Sequence, residues 1–205
     1  MLISIDVVCG PLLTLAVFNP LKPRRELTAD LSVIVLLQVL ALGYGLYTLS
    51  LARPIALVYE IDRFRVVSMA DIPEQDASKI PEWINPFGVD APKVIGLRLA
   101  AKGSELVQSL EVSMQQGVEP SQRPERWQDY SLNHAQVLLR SHSIAQLKEL
   151  HPDAALLINS ALKQANLTDS TARWLPVVGR LASDWVVFLD AETAMPMAFA
   201  HLNGL

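Results

Sequence analysis

An uncharged run of 21 residues, from Leu31 to Leu51, constrains this chain more than any other feature of its sequence. As a helix rising about 1.5 Å per residue it is about 31 Å long, which matches a bilayer hydrocarbon core of about 30 Å. Tyr44 and Tyr47 lie towards its carboxyl end, where amphipathic rings favour the membrane interface. A buried core helix is the alternative, but such helices rarely run this long without a charge. We therefore predict a transmembrane helix over residues 31–51.

A second apolar segment, residues 3–18, precedes this run. It contains one charged residue, Asp6, and it is interrupted by Gly10-Pro11. A signal peptide is the competing interpretation, but it requires a basic leading region, and here the basic residues follow the segment. We predict a second transmembrane helix over about residues 3–18, within a membrane region that covers residues 1–52. Asp6 is then either solvated at the membrane surface or an intramembrane carboxylate that faces another helix or a functional path.

The segment between the two apolar stretches predicts the topology. Residues 19–30 contain Lys22, Arg24 and Arg25, whereas Arg53 is the single basic residue directly after the second stretch. Cytoplasmic loops carry an excess of lysine and arginine, so we predict that residues 19–30 are cytoplasmic. Two spans that flank a cytoplasmic loop emerge on the other side. The domain from residue 53 to 205 is therefore predicted to be periplasmic, behind a bacterial inner membrane.

Composition excludes some partners of that domain. The chain is 51% hydrophobic with a mean hydropathy of +0.27, and the apolar excess lies in its first fifty residues. From Pro54 onwards there are 13 lysines and arginines against 18 aspartates and glutamates, a net charge of −5. Because nucleic-acid-binding domains carry a basic patch, a nucleic acid partner is not predicted. Cys9 is the only cysteine of the sequence, so no intrachain disulfide and no cysteine metal cluster can form.

Hydrophobic periodicity predicts that residues 53–205 form a small α+β domain. The predicted strands cover residues 54–67, 93–100, 174–179 and 185–189, with a hairpin turn at 190–193 into a last strand at 197–200. The predicted helices cover residues 104–116, 132–150 and 152–167, and Gly117 ends the first of them.

The sequence contains no motif that indicates catalysis. It has no glycine-rich phosphate loop, nucleophile elbow, zinc-protease motif or paired-cysteine motif. The histidines are scattered; His134 and His142 could share a helical face, but no carboxylate or cysteine stands beside them at metal-ligand spacing. We predict no cofactor, no metal and no enzymatic activity. Trp174 and Trp185 fall in predicted strands, where we expect core packing rather than an exposed binding surface.

Three segments carry a resemblance to a known family: residues 5–27, 53–67 and 173–196. The first contains an aspartate, a Gly-Pro and an Asn-Pro in order. These segments resemble the TfpX/TfpZ family of type IV pilin accessory proteins. The resemblance implies a non-enzymatic inner-membrane factor that assists the assembly or stability of a major pilin. A membrane-anchored enzyme that modifies pilin is the alternative.

The resemblance also indicates where a partner would bind. It implies that pilins wait in the membrane as single apolar helices, which other helices contact through small residues and isolated polar groups. In this chain such residues are Asp6, Gly10, Gly43 and Gly45, which we predict to be partner contacts in membrane lipid. The resemblance further implies an additional apolar segment ahead of the Asp6-Val7-Val8 element, where this sequence has five residues.

Overall fold

The computed structural model describes residues 23–88, 90–180 and 183–204, which divide into two compact units between Leu51 and Ala52. Helix α1, Arg24–Ala52, contains the predicted span but begins before Leu31. The backbone N–H groups of Glu26 and Leu27 donate to the carbonyl oxygen of Pro23, so the first turn forms at once after this proline. Residues 24–30 therefore belong to this helix, and their cytoplasmic location stays a prediction.

Helix α1 is long and apolar enough to cross a membrane, and it is the one such helix among the described residues. Most of its apolar side chains are exposed in the isolated chain. A helix that is apolar all round needs either a protein core or lipid around it. The second predicted span, residues 3–18, lies outside the described residues.

Residues 52–205 form a mixed structure of helices and one sheet. The strands are β1 (Pro54–Glu60), β2 (Arg63–Ser68), β3 (Lys93–Leu97), β4 (Trp127–Gln128), β5 (His142–Ser143), β6 (Ala172–Val178), β7 (Trp185–Asp190) and β8 (Pro196–Ala200). Their order in the sheet is β4-β3-β1-β2-β6-β7-β8, and β5 pairs with β6. The β1–β3 and β2–β6 pairs are parallel and the other pairs are antiparallel.

Among the described residues of this unit, four helices accompany the sheet. They are α2 (Ser104–Gln116), α3 (His134–Arg140), α4 (Ile144–Leu150) and α5 (Ala155–Gln164). Short 3-10 segments join several elements, among them Tyr130–Asn133 before α3. The predicted α+β class is confirmed, and so are α2 with its left-handed C-cap at Gly117 and the late strands with their hairpin.

The long strand predicted over residues 54–67 is wrong, because the chain turns back on itself at Ile61 and Asp62. Tyr59 pairs with Phe64 across this tight turn, which separates β1 from β2. Ile61 has φ 59°, in the left-handed region that a β-branched residue rarely adopts. Asp62 is the one residue here of a type common in turns, and it is preceded by an isoleucine, so the turn signal in the sequence is weak.

The helix predicted over residues 132–150 is also wrong, since α3 ends at Arg140 and α4 begins at Ile144. Between them, Ser143 forms a capping box: its backbone N–H donates to Gln146 Oε1 at 3.0 Å, and its hydroxyl oxygen accepts from the Gln146 N–H at 3.4 Å. His142 and Ser143 meanwhile pair with β6. The apolar periodicity of the sequence continues through this break, so periodicity alone did not reveal that the helix is interrupted.

Both faces of the sheet carry buried side chains. Helices α4 and α5 cover one face of β6, β7 and β8, around Trp174 and Phe188. On the opposite face Tyr130 and Val137 cover one end of the strands, around Phe64 and Leu175. A third cluster lies around β1, β2 and β3, with Trp127 packed against it. The cover by Tyr130 and Val137 stops part of the way along the strands, and this leaves an apolar surface open.

Replacing Leu175 by alanine should destabilise the domain by about 2–5 kcal/mol, because it leaves a cavity in a fully buried position. The matched control is Leu139→Ala on α3, where 81% of the residue is exposed and the expected change is within about 0.5 kcal/mol. Urea unfolding of the full chain in detergent, followed by tryptophan fluorescence, measures both, since all four tryptophans lie after residue 52. An equal decrease in the free energy of unfolding for the two variants would contradict the assignment of Leu175 to the core.

Candidate partner-binding site

An apolar cleft of about 650 Å³ lies on the uncovered part of the sheet. Its lining residues come from β1, β2, β3, β6, β7, β8 and the loops beside them: Pro54, Ala56, Leu57, Val66, Ala91, Pro92, Val94, Val177, Gly179, Trp185, Pro196 and Phe199. None of these side chains is charged. We call this surface the apolar cleft.

Strand register explains why the cleft is apolar across its whole width. Leu57 of β1 is opposite Val66 of β2, and Val177 of β6 is opposite Trp185 of β7. Side chains two residues apart on a strand share a face, so Leu57 continues the row of the buried Tyr59. The floor of the cleft is thus an extension of the core, formed by the same strands at the end that Tyr130 and Val137 do not reach.

Two exposed aromatic side chains belong to the cleft. Trp185 is 39% exposed and Phe199 is 47% exposed, both on strands. The His201 ring meets Trp185 edge to face at 5.2 Å between centroids, and His201 Nε2 lies 2.5 Å from a carboxylate oxygen of Asp184. These contacts with His201 and Asp184 orient the Trp185 indole at the edge of the cleft. The prediction that Trp185 packs in the core is therefore wrong, whereas Trp174 is buried as predicted.

A buried arginine holds α2 against the domain. Arg123 is 5% exposed, and its guanidinium donates to Ser109 Oγ, the Ser109 carbonyl, Ser113 Oγ and the Val118 carbonyl at 2.7–3.3 Å. Burial lowers the pKa of Arg123, and the neighbouring Arg126 lowers it further. Among the described residues no acceptor pairs with its Nε. We assign Arg123 a structural role, because its hydrogen bonds all go to α2 and the turn that ends it.

Helix α2 is attached by polar contacts while its apolar side chains face outwards. Ser109 is its one buried residue, and Glu105 pairs with Arg98 at 2.8 Å. Leu106, Val107, Leu110 and Met114 are exposed. Surface helices usually bury their apolar stripe, so α2 is inverted with respect to the ordinary arrangement.

The residues that the sequence singled out lie either on α1 or outside the described residues. Gly43 and Gly45 are on α1, and an added Cβ at either one meets nothing within 4 Å. Arg25 is in the first turn of α1. Asp6, Gly10 and Lys22 lie outside the described residues.

The four histidines make separate contacts. His134 meets Tyr130, His142 meets Trp174, His151 Nε2 lies 2.6 Å from the carbonyl oxygen of Asn203, and His201 pairs with Asp184. In the part of the chain that the structure describes, no group of three or more His, Cys, Asp or Glu side chains could hold a metal ion.

Glu60, at the end of β1, is a buried carboxylate that the sequence did not indicate. It is 8% exposed and accepts from Ser121 Oγ at 3.0 Å and from the Ser121 N–H at 3.4 Å. Burial raises the pKa of Glu60, and the bonds from Ser121 offset only part of this effect. Compared with the unfolded chain, the folded state therefore favours the protonated form of the Glu60 carboxyl.

This raised pKa predicts a pH dependence of stability. The contribution of Glu60 to the stability of the fold is most favourable below the ordinary glutamate pKa of about 4.3. It is lost as pH rises through the pKa of Glu60 in the folded state. Glu60→Gln keeps the shape and removes the charge, so it should raise the urea midpoint at neutral pH, with the difference shrinking towards pH of about 4. Asp190→Asn is the control of opposite sign, because bonds from Thr193 lower the pKa of Asp190. A Glu60→Gln midpoint below the unmodified value at neutral pH would contradict the assignment.

In fold terms, the chain is an α+β domain that carries an open apolar cleft and follows an apolar helix of membrane-spanning length. Comparison with known proteins gives its family. The fimbrial assembly protein of serogroup I from Dichelobacter nodosus is 32% identical over 191 residues, which cover 93% of this chain and 74% of that protein. The serogroup E1 protein of the same organism is 32% identical over 188 residues, 91% of this chain and 73% of its own length.

A third relative, the fimbrial assembly protein of serogroups C1 and C2 from the same organism, is 48% identical over 69 residues. That match covers 34% of this chain and 53% of the relative. The chain belongs to the family of fimbrial assembly proteins. No family model matches it, and no solved structure matches it.

Proposed function

We propose that this chain is an inner-membrane accessory factor of the TfpX/TfpZ type that assists assembly of type IV fimbriae by contacting the major fimbrial subunit. The observation that carries the proposal is the relationship to fimbrial assembly proteins over 93% of the chain. The apolar cleft supports it, because an apolar concave surface serves binding. In this proposal the chain holds its partner and catalyses no reaction.

The proposed anchor is α1. Its side chains are exposed in the isolated chain at Leu36, Leu40 and Leu46, each by 59–60%. Lipid would remove that apolar surface from water, which favours insertion. The proposed orientation places Arg25 and the preceding basic residues in the cytoplasm and residues 53–205 in the periplasm.

Alkaline phosphatase fusions test this orientation. The enzyme is active only when exported, so a fusion after Arg53 should be active and a fusion after Arg25 inactive. Immunoblots establish that both fusions are present at equal level. Activity after Arg25 together with inactivity after Arg53 would reverse the topology.

Contact with the subunit inside the membrane is proposed to use the small and polar residues Asp6, Gly10, Gly43 and Gly45. Nothing lies within 4 Å of an added Cβ at Gly43 or Gly45, so another helix can approach either one closely. Residues two apart on a helix do not share a face, however, and these two glycines point in nearly opposite directions. A single partner helix therefore meets one of them, and each glycine is the control for the other.

A membrane-anchored enzyme that modifies the subunit is the second candidate, and subunit mass separates the two. Deleting the gene should reduce surface fimbriae while the mass of the subunit stays unchanged. A changed mass would favour the enzyme.

Three variants test the contact inside the membrane by co-purification of the subunit. Gly43→Leu and Gly45→Leu are made singly, and Asp6→Asn removes the charge but keeps the shape. We expect Asp6→Asn and one glycine variant to lower co-purification of the subunit, at unchanged protein level, and the other glycine variant to have no effect.

A further inference from the structure

The apolar cleft crosses the sheet instead of following one strand. Six adjacent strands each contribute a lining side chain: Val94 from β3, Leu57 from β1, Val66 from β2, Val177 from β6, Trp185 from β7 and Phe199 from β8. Neighbouring strands are about 4.8 Å apart, so the five intervals amount to about 24 Å. A helix that rises about 1.5 Å per residue covers this distance with about 16 residues.

The surroundings of the cleft favour a helix over other occupants. Sheet faces in α+β domains are covered by helices, as α4 and α5 cover the opposite face of β6, β7 and β8. A small-molecule site normally includes a few convergent polar groups, whereas the one polar side-chain group in this lining is the Trp185 indole N–H. A strand could add at either edge of the sheet, beside β8 or beside β3 and β4, but at both edges it would leave the floor between β1 and β6 uncovered.

The lining also indicates the character of that helix. A cleft without a charged side chain offers no partner for a charged group, so the face laid into it must be apolar. Pro54, a lining residue, follows Ala52 at the end of α1 by two residues, a chain length of at most about 7 Å. The cleft therefore follows the proposed membrane segment directly in the chain, so a partner held in the same membrane is confined near it.

We propose that the apolar cleft binds a helical segment of about 16 residues, apolar on one face, that belongs to the fimbrial subunit and lies across strands β3 to β8. The identity of the partner rests on the proposed function, and the shape and chemistry of the occupant rest on the cleft. In this arrangement Trp185 and Phe199 pack against the helix and lose their exposure to water. The cleft then holds the part of the subunit that emerges from the membrane.

Site-specific photo-cross-linking in fimbriate cells tests this proposal with the full chain. Phe199 is replaced by p-benzoylphenylalanine, which keeps the ring inside the cleft. The control position is Leu156, which is 84% exposed on α5, the helix that covers the opposite face. Irradiation should give an adduct of the chain with the subunit at position 199 and none at position 156, and peptide mapping should place the linkage in an apolar-faced helical segment.

A second pair of variants tests whether the cleft itself causes the adduct. With the cross-linker placed at Trp185, Phe199→Glu should abolish the adduct because it puts a charge into the apolar contact, whereas Leu156→Glu should leave the yield unchanged. Both substitutions lie at exposed positions, and unchanged urea midpoints would verify the fold. The proposal is overturned if position 199 gives no adduct, an adduct of two copies of this chain, or an adduct with lipid alone. An apolar-faced helix of another protein, linked at position 199, would support the cleft assignment and overturn the proposed function instead.

Discussion

The structure of residues 52–205 depends on the parallel pairing of β2 with β6. Phe64 and Arg65 are opposite Val177 and Val178, and this short pairing joins the strands before α2 to those after α5. More than one hundred residues of chain separate the partners, so the loop-closure entropy must be offset by burial around Phe64 and Leu175. Without this pair the floor of the apolar cleft would divide between Val66 and Val177. The core and the apolar cleft therefore both depend on the pairing of β2 with β6.

Such long-range pairing also marks the limit of what the sequence could predict. Local signals were sufficient for α2, which ends at Gly117, and for the late hairpin around Asp190, whose carboxylate accepts from the N–H groups of Glu192 and Thr193. The class of the domain followed from the order of these elements. The turn at Ile61 escaped prediction because its backbone conformation is imposed by the pairing of β1 with β2 and contradicts the preference of isoleucine.

The candidate site escaped prediction for a related reason. Val66, Val177 and Phe199 look like ordinary apolar strand residues in the sequence, and whether each is covered depends on how far Tyr130 and Val137 reach along the sheet. Trp185 shows the same limit, because its strand was predicted correctly while its exposure was not. One signal was present: the stretch from Thr193 to Ala200 has no charge, although it forms an edge strand, and edges are usually protected by charged residues.

An open apolar cleft beside an uncharged edge strand favours aggregation in a freely diffusing protein. The inverted helix α2 adds Leu110 and Met114 to the exposed apolar surface, and polar bonds from Arg123 keep it in place. Under the proposed function, binding of the fimbrial subunit covers the cleft and removes this apolar surface from water. Anchoring through α1, which is also part of the proposal, would raise the local concentration of a partner held in the same membrane, so modest contacts would suffice for binding. In that proposal α1 and the apolar cleft act together, because an exposed apolar surface is tolerable where the anchor keeps the partner that covers it close by.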